Sequence, residues 1–304
     1  MNDSLDKIKE HIDNVVYNKK NLFSSNYDLD KIIEDEFKKA IENLHKCDII
    51  KYIKNNYKIK YTEPKLKILE NKPSITGEYL RSKNEVIISK KSVEEEIDNE
   101  LKFLDYKEIK GSISDIQDIK YLYKSYKTIL LYPLYINGKT IKNSIAEFII
   151  RLTMFHEIWH SIDYNILRKL SKNSTIKDRD YLLTILNNHE NLELRASAFQ
   201  VVMYYLTNDL YKDEKGYVTA SFNIPTCRKY IEEIDKLEND NYKNKYFVAY
   251  DLGSCYGNII VAKYRSSLEK NIYKIIDDII HLDRERAIEV IKYYGDNPDK
   301  LLND

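Results

Sequence analysis

Glycine and proline are scarce in this chain: seven and five among 304 residues. Turns and irregular connections draw on both, so a small supply predicts a mainly helical fold with limited loop. Cysteine is scarcer still. Cys47, Cys227 and Cys255 are odd in number, far apart and form no C-x-x-C pair. The expectation is three reduced, small buried side chains, with neither a disulfide framework nor a thiolate metal site. An excess of charge of either sign is missing too, because 49 Lys and Arg match 49 Asp and Glu. Zero net charge leaves no electrostatic footprint for nucleic acid, so no nucleic-acid partner is expected. No apolar run approaches the roughly 20 residues that cross a bilayer, and Met1–Lys7 lacks the basic start and apolar core of a secretory leader. The expectation is a cytoplasmic protein without a membrane partner, with delivery elsewhere by another component left open.

Against these shortages stands a hydrophobic content of 43%, enough for a substantial core. Leu5, Ile8, Ile12, Val15 and Val16, then Ile32, Ile33, Phe37, Ile41 and Leu44, recur at helical spacing with a break near Phe23–Tyr27. From Tyr57 the pattern changes to short β-branched or alternating runs, 58–61, 66–69 and 86–88, divided by Pro64, Pro73 and Gly77. Residues 92–126 read as charged helix, with Ser112–Ile116 able to cap a later part. The run 128–136 reads as a strand or strand pair ending in an Asn137-Gly138 turn. Pro133 puts it at a sheet edge, where an extended peptide can add as one more strand, or where it merely closes the sheet. The predicted fold is α+β and mostly helical: one domain with a small mixed sheet. An upper α+β lobe (1–142) faces a lower helical lobe (143–304), with the active-site helix between them.

The stretch that carries chemistry is Phe155-His156-Glu157-Ile158-Trp159-His160-Ser161-Ile162-Asp163, inside an apolar run from Ile145 to about Leu170. Ser144-Ile145-Ala146-Glu147 has the form of a capping box that would start this helix, and 171–174 would end it. His156 and His160, four apart, share a helix face, and two neutral imidazoles so presented can hold one zinc ion. Glu157 lies slightly off that face, placed to take a proton from a water at the metal rather than to bind it. Ile149, Leu152, Trp159 and Leu167 share or border the histidine stripe, so the rings face an interior. Two adjacent buried imidazoles without a partner would be costly; a metal removes that cost.

A catalytic zinc takes three protein ligands and keeps one position open. His189, Glu190 and Glu193 are the candidates for the third. The small residues Ala196, Ser197 and Ala198 would let a helix over 191–210 approach the metal helix within reach of one carboxylate, which favours Glu193. Glu190 fits a solvated or capping role, and His189 a surface one. Asp163, three past His160, points the same way and can accept the second ring N–H of a ligand histidine. Gly253 and Gly257, four apart, either line the cleft or let another helix come close. One or two further amphipathic helices follow over 272–292.

H-E-x-x-H-x-x-D at 156–163, with E-x-x-A-x-A-F beginning at Glu193, resembles the gluzincin metallopeptidases. The likeness is to the anthrax lethal factor type catalytic domain and to the clostridial Pro-Pro endopeptidases. It covers only those two segments. The resemblance implies one zinc ion held by His156, His160 and Glu193, Glu157 as catalytic base, and hydrolysis of a peptide bond in a protein or peptide substrate. Trp159 departs from the small residue common at its position. The tyrosine that lethal factor relatives place shortly before the ligand glutamate, to steady the oxyanion, has no counterpart near Leu186; Tyr181, Tyr250 and Tyr256 are the candidate replacements. Other expectations are a neurotoxin light-chain-like protease, a repressor-cleaving peptidase of the phage-regulator kind, and a zinc-stabilised interaction module without catalysis. Glu157 separates the last, since a structural site does not need it.

Overall fold

The computed structural model describes residues 27–72, 75–103, 141–172, 178–207, 242–264 and 267–297, and positions 227, 231, 234 and 300. In chain order these form α1 (Leu29–Lys46), α2 (Ile49–Asn56), β1 (Lys65–Leu69), β2 (Gly77–Leu80), β3 (Glu85–Ser89) and α3 (Lys90–Phe103). They continue as α4 (Ile141–Lys172), α5 (Arg179–Asn187), α6 (His189–Thr207), α7 (Tyr242–Tyr264), α8 (Ile272–Ile280) and α9 (Arg284–Asp296). Among the described residues the chain is mostly helical with one small sheet, as its composition predicts. Strand order is β1-β3-β2. Lys65 N–H bonds Asn84 and Lys91 N–H bonds Glu70, so β1 and β3 run parallel; Ser89 N–H bonds Thr76, so β2 returns antiparallel. The sheet is therefore mixed.

Residues 66–69 and 86–88 are strands as expected, but 58–61 is not. Lys58 sits at φ 51°, a left-handed conformation that interrupts an extended strand. The alternation that suggested a strand is a burial pattern: Tyr57, Ile59 and Tyr61 are buried and the lysines between them exposed. Strand β2 escaped notice because Gly77 reads as a divider and its four residues are too short for a pattern. Helix α4 begins at Ile141, three residues before the Ser144–Glu147 segment expected to start it. The predicted helices before residue 27 and over 112–126, and the strand over 128–136, fall outside the described residues.

The chain divides into two compact units. One comprises Met1–Phe37, Lys67–Gly77 and Ile87–Arg151, the other Lys38–Leu66, Glu78–Val86 and Leu152–Asp304. In the first, Glu36, 1% exposed, is matched by Arg151, whose Nη2 donates to Oε1 at 3.0 Å. Lys90 bridges Asp30 and Glu70.

The second unit holds the candidate site. Helices α6 and α7 are in close contact at two glycines. A Cβ on Gly253 would collide with the Leu194 carbonyl oxygen and come within 2.7 Å of Ser197 Cβ; one on Gly257 would lie 2.8 Å from Val201 Cβ. The glycines thus serve helix contact. The amphipathic run after 272 is two helices, broken at Leu282-Asp283, where Asp283 caps α9 by accepting from Arg286 N–H. Tyr52 and Tyr57, both near α2, donate their hydroxyls to the two oxygens of Asp277 on α8, at 2.6 and 2.9 Å.

Cys227 and Cys255 form a disulfide, with Cα atoms 5.6 Å apart, while Cys47 is free. This corrects the expectation of three reduced cysteines. A 28-residue separation carries no local signature, and only the folded path brings the two Cα atoms into bridging range. No helix among the described residues is long and apolar enough to cross a membrane.

Candidate metal centre

Helix α4 is buried on every side where it carries the motif: 154–159 and 161–163 are all buried. Apolar neighbours fix it there. Phe199 of α6 meets Trp159 with ring centroids 4.3 Å apart and Phe155 edge-on at 6.3 Å. Trp159 is fully buried, so a large ring fills the position where the resembled family has a small one. The small residues Ala196, Ser197 and Ala198 are also fully or almost fully buried.

Beside the contacts of Phe199 with Phe155 and Trp159, three donor atoms come together. His156 Nε2 lies 3.0 Å from Glu193 Oε2, His160 Nε2 lies 3.1 Å from His156 Nε2, and His160 Nε2 lies 3.5 Å from Glu193 Oε2. A four-coordinate ion with bonds of about 2.0–2.1 Å needs ligand atoms about 3.3–3.4 Å apart, 1.63 times the bond length. The three sides bracket that spacing, two shorter and one longer, each within about 0.4 Å of it. His156, His160 and Glu193 therefore form a group that can hold a metal ion. Of the other candidates for third ligand, His189 is exposed, and Glu190 is ion-paired to Arg284 at 3.7 Å.

The electrostatics favour positive charge at the centre of the triangle. Burial alone would push the Glu193 carboxyl up, but hydrogen bonds from His156 and His160 outweigh it and hold the group far below the ordinary carboxylate range. Burial would lower His160, yet Glu193, Glu157 and Asp163 together raise it. Glu157 is buried, and desolvation raises its carboxyl against the pull of both histidines and a backbone hydrogen bond from Tyr79 on β2.

Asp163 is drawn elsewhere than expected. Its Oδ2 accepts from Arg195 Nε at 3.0 Å, and both side chains are 0% exposed. No hydrogen bond joins it to His156, whose Nδ1 is unpartnered; its influence on His160 acts through space. The physical reason is competition: a buried guanidinium has a fixed charge to neutralise, and a neutral imidazole does not. Of the three tyrosines considered as oxyanion donors, only Tyr250 touches the cluster. Its ring stacks on His156, centroids 4.9 Å apart and 7° from parallel. Tyr181 donates to Asp283 at 3.1 Å, and Tyr256 is buried in the field of Asp278 and Arg286.

Two residues escaped the sequence reading. Arg195 had a signal: a lone arginine among Leu194, Ala196, Ser197 and Ala198 on a buried helix must find a carboxylate. Tyr79 had none, since it acts through its backbone. No family model matches the chain, and neither does any curated protein or solved structure.

Proposed function

We propose that this chain is a zinc-dependent metalloendopeptidase of zincin-like fold, hydrolysing peptide bonds in a protein or peptide substrate. The observation that carries the reading is the triangle of His156 Nε2, His160 Nε2 and Glu193 Oε2 with sides of 3.0, 3.1 and 3.5 Å, next to a buried glutamate that binds neither histidine. Two imidazoles and one carboxylate are the donor set that suits zinc among the common divalent ions. The resemblance of 156–163 and 193–199 to gluzincin peptidases points the same way.

Bound at these residues, zinc supplies a Lewis acid that polarises the substrate carbonyl and acidifies water. The chain's own groups do the rest. Glu157, raised by desolvation, takes the proton of the attacking water and hands it to the leaving amine. Tyr79 N–H holds the charged form of Glu157. The stacked ring of Tyr250 fixes the plane of His156, and the sealed helix contact around Trp159 and Phe199 keeps the ligand-bearing backbones from shifting.

Elemental analysis of purified protein tests the metal: near-stoichiometric zinc in wild type, lost in Glu193→Ala. Glu157→Gln tests the chemistry. It keeps the metal and lowers peptide hydrolysis by roughly 10²–10⁴-fold. Full activity in that variant would sink the mechanism. Zinc without hydrolysis of any peptide would favour an interaction module instead.

A further inference from the structure

Six cations converge on a groove of about 830 Å³ within the same unit as the metal centre. Lys60, Arg81, Lys83, Arg168, Lys169 and Lys172 line it, and among the described residues no carboxylate does. In a chain with 49 cations and 49 acids, an acid-free lining is a segregation of charge, not a sample of the surface. None of the six has an ion pair among the described residues. The end of α4 explains only half of them. Arg168, Lys169 and Lys172 occupy its last turns, where cations complement exposed carbonyls. Lys60 comes from the segment before β1, and Arg81 and Lys83 from the β2–β3 turn, where that argument has no force.

The turn is braced rather than loose. Asn84 adopts φ 52°, donates to the carbonyls of Thr62 and Glu63 at 3.2 and 3.0 Å, and accepts from the Tyr79 hydroxyl at 2.8 Å. Arg81 lies over the Tyr164 ring, 5.8 Å from its centroid.

We propose that this groove is a substrate subsite that holds an acidic segment of the peptide; the inference rests on the peptidase reading above. Two connections tie it to the chemistry. Tyr79 lines the groove and donates its backbone N–H to Glu157. Tyr164, also in the lining, lies one helical turn past His160. At 1.5 Å per residue, Arg168 and Lys172 stand about 12 and 18 Å beyond His160 along α4, the span of roughly four to five extended residues. The acidic residues of a substrate therefore fall about that far from the scissile bond. A nucleic acid fits less well, because the ring faces it would stack on are occupied: Tyr79 and Tyr164 meet each other at 6.4 Å, and Arg81 covers Tyr164.

The test uses the full chain. Fluorescein-labelled hexaglutamate, hexaglutamine and a six-nucleotide oligothymidylate are titrated by fluorescence anisotropy at low and high salt. The expected result is hexaglutamate bound at least tenfold more tightly than hexaglutamine at low salt, with the preference erased at high salt. The combined variant R81Q/K83Q/R168Q/K172Q loses that preference while its circular dichroism and metal content stay unchanged. Equal binding of the two peptides, a preference that survives in the variant, or tighter binding of oligothymidylate overturns the inference. A peptide-library digest supplies the second arm. Wild type cuts at least tenfold faster where Asp or Glu lies four or five residues from the bond, and the variant does not discriminate. Cleavage without that preference overturns the subsite and leaves the peptidase reading standing. Groove-dependent hexaglutamate binding with no cleavage of any peptide overturns the peptidase reading and the substrate role with it.

Discussion

Two ionic clusters lie between α4 and α6, scarcely a turn apart, and they solve the burial of charge in opposite ways. Asp163 and Arg195 are both fully buried, of opposite sign, and joined at 3.0 Å. The pair is closed, because each charge has its counter-charge. His156, His160 and Glu193 have side chains 3%, 14% and 20% exposed, and aim three lone-pair donors at one point. One negative charge is shared among acceptors, and Glu193 drives His160 to take up a proton more readily. A closed pair fixes how two helices meet; an open set asks for a cation. The first is a clamp, and the second is a group that can hold a metal ion.

Breaking the clamp has the largest expected effect on stability. Asp163→Ala strands the Arg195 guanidinium in the interior and costs about 3–5 kcal/mol, read as a lower urea midpoint in chelator-treated protein. A replacement of both, Asp163→Leu with Arg195→Met, recovers most of that loss if the pair is only a clamp. Gly253→Ala comes next. Overpacking against Leu194 and Ser197 costs about 1–3 kcal/mol, and because Leu194 adjoins Glu193 the variant also weakens zinc binding in a competition titration.

The open set separates itself by pH. His160 is raised above 6.5, and Glu157 and Asp163 are raised above their ordinary carboxyl values. Chelated protein therefore binds more protons folded than unfolded, and its stability rises as pH falls from 8 towards 6. That contribution is lost as pH climbs through the raised His160 value. Metal must displace the His160 proton, so zinc affinity moves the other way and weakens below that same value. Denaturation midpoints at pH 6 and 8, with and without zinc, check the crossing signs. The smallest effect belongs to Tyr250→Phe. It keeps the stack on His156 and changes zinc affinity by about twofold or less, whereas Tyr250→Ala removes the ring and weakens affinity up to about tenfold, the lower end of the range for residues that orient metal ligands.

The metal-ligand group was legible because its signal is local. His156 and His160 are set by helical spacing, and Glu193 was the favoured third candidate, although Ser197 and Ala198, expected to face the metal helix, lie against Gly253 and Gly257 of α7. The helical character of the chain followed from its few glycines and prolines. What stayed hidden depends on contacts between distant segments. Cys227 and Cys255 have no spacing motif, and Tyr79 acts through an amide that every residue but proline possesses. Lys58–Tyr61 misled for a related reason: alternate burial and ladder pairing write the same pattern, and only a dihedral angle separates them. Asp163 pairs with Arg195 rather than with a ligand histidine, a contact between two helices that spacing along one of them does not reveal.

The pair of hydroxyls on Asp277 has a consequence for the order of events on the ribosome. Tyr52 and its acceptor are 225 positions apart. At about 5–20 residues per second, synthesis takes roughly 11–45 s to cover that interval. For that time α2 exists without the partner that satisfies its two tyrosines, and nascent chains stalled before α8 should leave this segment open to protease.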